Sequence, residues 1–481
     1  MISCTSGRAA FITGQIPVRT GLTRPGMPGD TLGLKPEDPT LAEILKTQGY
    51  RTGQFGKNHL GDRNEHLPTV HGFDEFMGNL YHLNTQEEPE SKDYPKDPTF
   101  KEKFEPRGVL HSKATSQKST DKNDPRFGPI GKQEIKDTGP LTRKRMETFD
   151  EELATEAKRF IKQAHDADEP FFTWFCTSRM HVFTHLKEEN RDLAAKYTSE
   201  HDMYGSGMIE HDLMVGDMLK HLDELGIADD TIVIYSTDNG PEHGMWPHGG
   251  CSPWRGEKMT SYEGGFRVPH LVRWPGHIPA GTICNEIQCH YDVFVTLAAA
   301  AGVPDVVDKL KNGMQIGDKE KPCKVHIDGV NHLDLWTGNI LKGSREHFIY
   351  WQESMAGAFR WNQWKVHIVT RESYWADAQN KSMPLIINIR MDPLETFTSE
   401  DAAGHLTMRT NWIFNMMREY IGEFVNSLDE FPIRQLGGTF NTSELIENAI
   451  KTHVQNDEDG SQQIQESKPK LIDNALETRL K

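Results

Sequence analysis

Apolar residues recur at helical spacing in three stretches of the first half of the chain, and this periodicity predicts an amphipathic helix in each. The stretches begin near residues 41, 153 and 208, and a capping box of Thr40 and Glu43 precedes the first. A short run of apolar or β-branched residues follows each helix and predicts a buried strand. These runs span 50–55, 171–176 and 231–236. Because helices and strands alternate, we expect an α/β fold with a mostly parallel sheet between layers of helices.

The pattern changes after about residue 340, where several short apolar runs are separated by only a few residues. They span 347–351, 358–361, 364–369 and 384–389. Such closely spaced runs predict a small antiparallel sheet, and the pattern at 412–428 predicts a helix that packs on it. The predicted division is an α/β domain at 1–340 with a polar surface insertion at 84–148, a C-terminal subdomain at 341–450 and a polar tail at 451–481.

The composition of the 481-residue chain excludes some classes of function. Its formal net charge is −17, which argues against a protein that binds nucleic acid through bulk positive charge. An anionic substrate must therefore be held by a local cluster of cations. No apolar run approaches the roughly 20 residues that cross a bilayer, so no membrane partner is expected. The even count of six cysteines does not by itself imply a disulfide framework in so long a chain.

Polar side chains follow each of the three predicted strands. Lys57 and His59 follow the first strand, His181 the second, and Asp238 and Asn239 the third. Because parallel sheets bind ligands beyond the carboxyl ends of their strands, we expect these five residues to lie close together. The adjacent carboxylate and amide oxygens of Asp238 and Asn239 are hard ligands that suit Ca²⁺ or Mg²⁺.

Cys4 and Arg8 lie four residues apart at the start of a predicted helix of small and apolar residues. Residues at this spacing share a helix face, and the amino end of a helix attracts anions and favours a charged nucleophile. The pair therefore suggests chemistry on a sulfate or phosphate group. The alternative is a buried cysteine next to a surface arginine.

Five separated stretches resemble motifs of the sulfatase family, in the family's order. They are 4–14, 56–61, the histidine in 179–181, 238–241 and 254–269, and the late element 392–395 also resembles a family motif. The first stretch contains Cys4, Arg8, Thr13 and Gly14. Its third position is Ser6, where the family usually has proline or alanine. The resemblance implies a hydrolase that acts on sulfuric esters of the aryl or alkyl kind.

The same resemblance implies the nucleophile and the cofactors. In the family a formylglycine-generating enzyme oxidises the motif cysteine, here Cys4, to formylglycine, and the hydrate of this aldehyde attacks sulfur. The family also uses a metal ion, for which Asp238, Asn239 and position 4 are the expected ligands, and Ca²⁺ is favoured over Mg²⁺. The expected substrate is a small sulfate ester or a sulfated glycan.

The family's remaining site residues also have counterparts in this sequence. The resemblance implies that Arg8, Lys57 and Lys258 stabilise the sulfuryl oxygens, that His59 acts on the formylglycine hydrate, and that His181 protonates the leaving group. The expected substrate contacts are Lys57, His181, Lys258 and His82. His185 lies four residues beyond His181 and is the alternative to it. Glu263 and Arg267 are expected to pair as a scaffold.

One family feature precedes the cysteine motif. The resemblance implies a first strand that ends in an Asp-Asp pair and supplies two metal ligands, whereas this sequence begins three residues before Cys4. We therefore expect an N-terminally incomplete sequence with reduced affinity for calcium. Two alternatives follow: a phosphodiesterase or phosphonate hydrolase of the same superfamily, and a non-catalytic remnant that binds anions.

Overall fold

Three β-sheets organise the computed structural model, which describes residues 3–197, 202–397 and 400–437, with side chains from residue 404 in the last range. In chain order the strands are β1 (Arg51–Gly56), β2 (Glu75–Gly78), β3 (Leu110–Ala114), β4 (Gln133–Asp137), β5 (Phe171–Cys176), β6 (Val233–Ser236), β7 (His270–Arg273), β8 (His347–Gln352), β9 (Met355–Trp361), β10 (Trp364–Thr370) and β11 (Gln379–Asn388). The main sheet has the order β4-β3-β2-β1-β5, β6 pairs with β7, and the third sheet has the order β11-β10-β9-β8.

β1 lies between two parallel neighbours in the main sheet. Its Gly53 is opposite Glu75 of β2 on one side and Thr173 of β5 on the other. β3 and β4 continue the sheet in antiparallel orientation. The predicted α/β fold with a mostly parallel sheet is therefore confirmed. The predicted strand at 231–236 is β6, which pairs with β7 and not with β5 in the part of the chain described.

Helices surround the sheets. They are α1 (Cys4–Thr13), α2 (Pro17–Thr20), α3 (Leu41–Lys46), α4 (Leu83–Glu87), α5 (Pro98–Phe104), α6 (Arg143–Met146), α7 (Phe149–Asp166), α8 (Met203–Glu224), α9 (Glu263–Phe266), α10 (His290–Ala300), α11 (Val306–Asn312), α12 (Leu333–Trp336), α13 (Glu400–Thr410) and α14 (Ile413–Glu430). None of these described helices is long and apolar enough to pass through a membrane. The Thr40 and Glu43 capping box begins α3 as predicted.

α1 is packed into the largest apolar cluster of the described residues. Ala9 and Ile12 of α1 contact the same cluster as Ile44 of α3 and Phe294 of α10. Gly14 ends α1 with a φ of 68°, and a Cβ there would lie 2.8 Å from the Phe294 ring. A side chain at this position would therefore clash as well as strain the backbone. The burial of α1 fixes Cys4 at one end of this core.

Part of the stretch at 84–148 is integrated into the main sheet, in contrast to the predicted surface insertion. β3 pairs with β2, and its first residue Leu110 is fully buried against Phe76 and Leu80. Only one or two apolar residues are needed for this contact, because β2 already supplies the hydrogen-bonding edge. A polar sequence can therefore join the sheet without showing a clear strand pattern.

The predicted C-terminal antiparallel sheet and its packing helix are both present, as β8 to β11 and α14. Phe424 of α14 packs on Trp351 of β8, with ring centroids 5.0 Å apart. On the other side, the fully buried Lys365 of β10 bridges Glu263 of α9 and Glu395, with both N–O distances at 2.9 Å. The described residues of the main sheet and of the C-terminal sheet belong to one compact unit, Met1–Gly438. The predicted tail at 451–481 lies outside the described residues.

Candidate active site

Cys4 is the first residue of α1, and its side chain is buried. The helix begins with a local hydrogen-bond pair in which Ser6 Oγ accepts from the Ser3 backbone N–H at 3.2 Å and donates to the Ser3 carbonyl at 3.0 Å. Ser6, the residue that departs from the family motif, therefore caps the helix that presents the thiol. The position of Cys4 at the amino end exposes it to the positive end of the helix dipole.

Arg8 connects α1 to the ends of two strands. Its Nε and Nη2 donate to Asp238 Oδ2 at 3.0 and 2.7 Å, and its Nη1 donates to the Lys57 carbonyl at 2.7 Å. Burial would lower the pKa of Arg8, but the Asp238 carboxylate raises it above its ordinary value. Three nitrogens of the guanidinium are thus engaged within the protein. This geometry makes Arg8 an element that holds the site together, and its predicted contact with sulfate stays a prediction.

The turn after β1 brings Lys57 and His59 into the interior. Gly56 has a φ of 110°, and a Cβ there would lie 1.8 Å from the Cys176 carbonyl, so the close approach of β5 requires glycine. His59 has a φ of 61°, and its carbonyl accepts a hydrogen bond from Thr5 Oγ1 at 3.0 Å. The lysine and histidine that sequence spacing alone would place on opposite sides are both buried beside α1.

Four side chains from three segments of the chain lower the pKa of the Cys4 thiol. Burial would raise the pKa of Cys4, but the charges of Lys258 and Lys57 and hydrogen bonds with His181 and His59 lower it well below its ordinary value. Burial, followed by the charge of Lys57, lowers the pKa of His59 to about 3, so that this imidazole is neutral near pH 7. The group at position 4 therefore faces two cations and two histidines, an arrangement that favours negative charge.

His181 and its alternative His185 have different partners. His181 Nδ1 donates to the Val182 carbonyl at 2.7 Å, and the ring is one of the groups that lower the pKa of Cys4. Because a carbonyl only accepts, Nδ1 carries a hydrogen and Nε2 is the nitrogen available to the site. His185 Nε2 instead contacts Glu87 Oε2 at 2.6 Å. The geometry favours His181 over His185 as the residue beside the nucleophile.

His82 completes a group of three histidines. Its ring centroid lies 5.5 Å from that of His59 and 6.0 Å from that of His181. Its Nδ1 accepts a hydrogen bond from the Thr85 backbone N–H at 3.2 Å, and burial holds its pKa well below the usual value. The ring is therefore neutral with its hydrogen on Nε2, and it can donate to a substrate oxygen.

Lys258 is the second lysine whose charge lowers the pKa of Cys4. Its Nζ contacts Glu242 Oε2 at 3.0 Å and lies 5.8 Å from the centroid of the Tyr374 ring. The next residue, Met259, has a φ of 73°, and such left-handed backbone in a residue other than glycine is found most often at functional sites. Glu263 and Arg267, predicted to pair, do so at 2.6 Å.

Asp150 lies outside the pocket but supports it, and sequence reasoning missed this residue. It is fully buried in α7, and its Oδ1 accepts from the Ser178 backbone N–H and hydroxyl at 2.8 and 2.7 Å. Its Oδ2 accepts from the Arg179 backbone N–H at 2.9 Å. The carboxylate thus fixes the loop that precedes His181. The available signal was a charged residue on the apolar face of α7, in register with Leu153.

The expected metal ligands form only part of a cation site. Asp238 Oδ2 is already bound by Arg8, while Asn239 Oδ1 is buried without a hydrogen-bond partner and can serve as a donor to a hard cation. The described residues contain no group of three or more acidic, histidine or cysteine side chains that could hold a metal ion. Two oxygens do not amount to the six to eight that Ca²⁺ takes, so the described residues alone do not fit the ion.

Comparison with known proteins identifies the chain's relatives. A family model described as Sulfatase matches residues 2–303. The chain belongs to the sulfatase family. Human arylsulfatase A is 30% identical to it over 415 residues, which cover 82% of this chain and 73% of the relative. N-acetylgalactosamine-6-sulfatase from mouse is 28% identical over 429 residues, with coverages of 82% and 72%.

Solved sulfatase structures share the fold. The crystal structure of PsFucS1 sulfatase from Pseudoalteromonas sp. superposes with a TM-score of 0.74 at 26% identity, covering 91% of this chain and 83% of that one. Membership of the family makes the chain a hydrolase of the sulfatase kind and implies sulfated substrates. The sulfatase residues predicted from sequence that the structure brings around Cys4 are Lys57, His59, His82, His181 and Lys258.

Proposed function

We propose that the chain hydrolyses sulfate esters with formylglycine, formed from Cys4, as the nucleophile. The observation that carries the proposal is the convergence of Lys57, Lys258, His59 and His181 on one buried side chain at the start of α1. Formylglycine, once formed, supplies a hydrate with two hydroxyls, one to attack sulfur and one whose deprotonation expels sulfate. The formylglycine-generating enzyme is the partner required for this conversion.

Each side chain around position 4 has a role that its geometry supports. Lys57 and Lys258 would hold the sulfuryl oxygens and stabilise the charge that builds on them during in-line attack. His181, with its Nδ1–H held by the Val182 carbonyl, would take up a proton from water at Nε2 and, as an imidazolium, donate it to the departing alcohol oxygen. His59, neutral near pH 7, would accept the proton of the second hydroxyl.

The cofactor proposal concerns Ca²⁺, with Asp238, Asn239 and position 4 as ligands. The unpartnered Asn239 Oδ1 supports a cation at this place. The other oxygens that Ca²⁺ needs would have to come from the substrate, from water or from outside the described residues. We therefore assign no step of the reaction to the ion.

The substrate class that we propose is a sulfated glycan. The observation that supports it is the likeness to N-acetylgalactosamine-6-sulfatases, whose name states a sugar sulfate. The buried cations explain how a chain of net charge −17 can bind such an anion, since they act at short range inside the site.

The test uses the full chain co-expressed with a formylglycine-generating enzyme. Peptide mass spectrometry measures conversion of Cys4, and release of 4-nitrophenol from 4-nitrophenyl sulfate in calcium buffer measures activity. We expect Cys4→Ala to lower kcat by about 10³-fold or more, whereas Cys323→Ala, another buried cysteine in the apolar core, should leave kcat unchanged. A converted protein that releases neither nitrophenol from the aryl ester nor sulfate from a sulfated oligosaccharide, or that prefers a phosphate diester, would contradict the proposal.

A further inference from the structure

Two tryptophans stand out because their indoles face solvent. Trp375 is 87% exposed and Trp246 is 71% exposed, although tryptophan is one of the residues with most to gain from burial. Trp375 packs on the partly buried ring of Tyr374, with ring centroids 4.7 Å apart. Single exposed apolar side chains are common on protein surfaces, so the meaning of these two depends on where their loops lie relative to the site.

The loops that carry these tryptophans are anchored on one buried carboxylate. Glu257 Oε2 accepts a hydrogen bond from the His243 backbone N–H at 2.7 Å, and Glu257 Oε1 accepts one from the Tyr374 backbone N–H at 2.9 Å. The backbone N–H of Trp246 in turn donates to the His243 carbonyl at 2.9 Å. Glu257 is buried and directly precedes Lys258 in the sequence. Both aromatic loops are therefore fixed to the residue next to a lysine of the site.

The aromatic rings continue outward from the pocket around Cys4. The Tyr374 ring lies 5.8 Å from Lys258 Nζ, and Trp375 is the next ring beyond it. On the other loop, Glu242 holds the same ammonium at 3.0 Å, and Trp246 follows four residues later. A substrate whose sulfate lies at Lys258 would reach these indoles only if it extended past the group that bears the sulfate.

We propose that Trp375 and Trp246, supported by Tyr374, form a subsite for a sugar ring that neighbours the sulfated ring of a glycan. This inference rests on the proposed sulfate ester hydrolysis. A pyranose ring presents an apolar face of C–H groups with hydroxyls at its edge, which suits a flat exposed indole. Charge of one sign does not define this contact, since Glu242 lies beside Lys258 while Arg371 donates a hydrogen bond to the Ala376 carbonyl next to Trp375. A small aryl sulfate carries no second ring beyond the group that bears the sulfate, so it offers no sugar ring to stack on these indoles.

The experiment compares the substrates of three variants, Trp375→Ala, Trp246→Ala and the control Trp412→Ala. Trp412 is 45% exposed and packs at the start of β10 against Trp364, whereas Tyr374 follows the end of that strand. The substrates are 4-nitrophenyl sulfate and a panel of size-defined sulfated oligosaccharides from chondroitin, carrageenan and fucan. Quenching of tryptophan fluorescence by the same oligosaccharides measures binding without turnover.

We expect the two subsite variants to raise KM for the best oligosaccharide about ten-fold each, equivalent to about 1.4 kcal/mol, and to leave both constants for 4-nitrophenyl sulfate unchanged. Trp412→Ala should behave as the parent protein. The inference is overturned if the subsite variants retain the parent KM for the oligosaccharide, if Trp412→Ala shows the same rise, or if KM for the aryl sulfate rises equally.

Failure of the proposed function gives a different result. A fully converted protein that hydrolyses neither class of ester contradicts sulfate ester hydrolysis. The fluorescence titration then still decides the subsite: quenching that is lost in Trp375→Ala supports it, and no quenching by any oligosaccharide of the panel refutes it. A protein that hydrolyses 4-nitrophenyl sulfate but neither binds nor hydrolyses any oligosaccharide retains the proposed function and refutes the subsite.

Discussion

Asp150→Asn tests whether a buried carboxylate outside the pocket fixes the position of His181. The two carboxylate oxygens accept three hydrogen bonds from Ser178 and Arg179, at 2.7 to 2.9 Å. An asparagine of the same shape can accept at only one of the two sites, and its amide nitrogen would face a donor at the other. One buried N–H left unpaired costs about 1–3 kcal/mol, and loss of the charge weakens the other bonds. We therefore expect the free energy of unfolding to fall by about 2–4 kcal/mol.

Asp150→Asn should also affect catalysis, because the loop that Asp150 holds leads directly to His181. His181 lies two residues beyond Arg179, so release of the loop changes the place from which its Nε2 approaches the substrate. A displacement of about 1 Å lowers rates by about 10²-fold. Because the proposed task of His181 is to protonate the leaving group, esters of weakly acidic alcohols should lose more kcat than the ester of the acidic 4-nitrophenol.

The assay measures kcat for 4-nitrophenyl sulfate and for an alkyl or sugar sulfate, together with urea unfolding. The matched control is Asp217→Asn on α8, where a 53% exposed carboxylate pairs with Lys158 and should contribute less than about 1 kcal/mol. Equal losses of kcat for both esters would mean that Asp150 does not act through the proton donor. Parent activity with both esters would refute the positioning argument entirely.

Three further changes have effects that the structure predicts. Lys365→Met removes the ammonium that lies between the buried carboxylates of Glu263 and Glu395, and it should lower the free energy of unfolding by about 3–5 kcal/mol in urea titrations. Lys220→Met, at an exposed ion pair, should change the free energy of unfolding by less than about 1 kcal/mol. Burial raises the pKa of Asp38 to about 6. The stability that the protonated Asp38 carboxyl contributes is therefore complete below about pH 4 and is lost as the pH rises through 6. The free energy of unfolding of Asp38→Asn should exceed that of the parent by up to about 3 kcal/mol at pH 7.5 and by little at pH 4. Lys57→Met should raise the free energy of unfolding by about 1–3 kcal/mol; it should also abolish activity and the rise in melting temperature that we expect sulfate to give the parent protein. Lower stability of this last variant would contradict the view that the ammonium is buried for function.

Much of the fold could be predicted because its signals are local. The run at 171–176 is β5, and the helix predicted at 412–428 is α14 (Ile413–Glu430), since apolar spacing and caps act within a few residues. β3 and β4 were missed because their partner strand, not their own sequence, makes them strands. Leu110 is buried through a contact with Phe76, which lies 34 residues earlier and cannot be recognised from a local pattern.

The site could be predicted to a similar extent and for a similar reason. Lys57 and His181 could be placed together because β1 and β5 are parallel neighbours, so that their carboxyl ends lie at the same edge of the sheet. The contacts that hold them were not found: Arg8 pairs with Asp238 across 230 positions, and Glu257 binds Tyr374 across 117. Sequence spacing carries no information about such pairs, so the scaffold around a site is harder to predict than the residues within it.

The charges of the site explain why Lys57 differs from its neighbours. Arg8 is paired with Asp238, and Lys258 is paired with Glu242, so both cations are compensated within the protein. Lys57 is buried at 4% exposure, and no carboxylate among the described residues forms an ion pair with it. Burial accordingly lowers its pKa, a sign that the protein solvates this ammonium less well than water does. A sulfate ester bound beside Cys4 would provide the missing negative charge, which makes Lys57 the cation with most to gain from substrate binding.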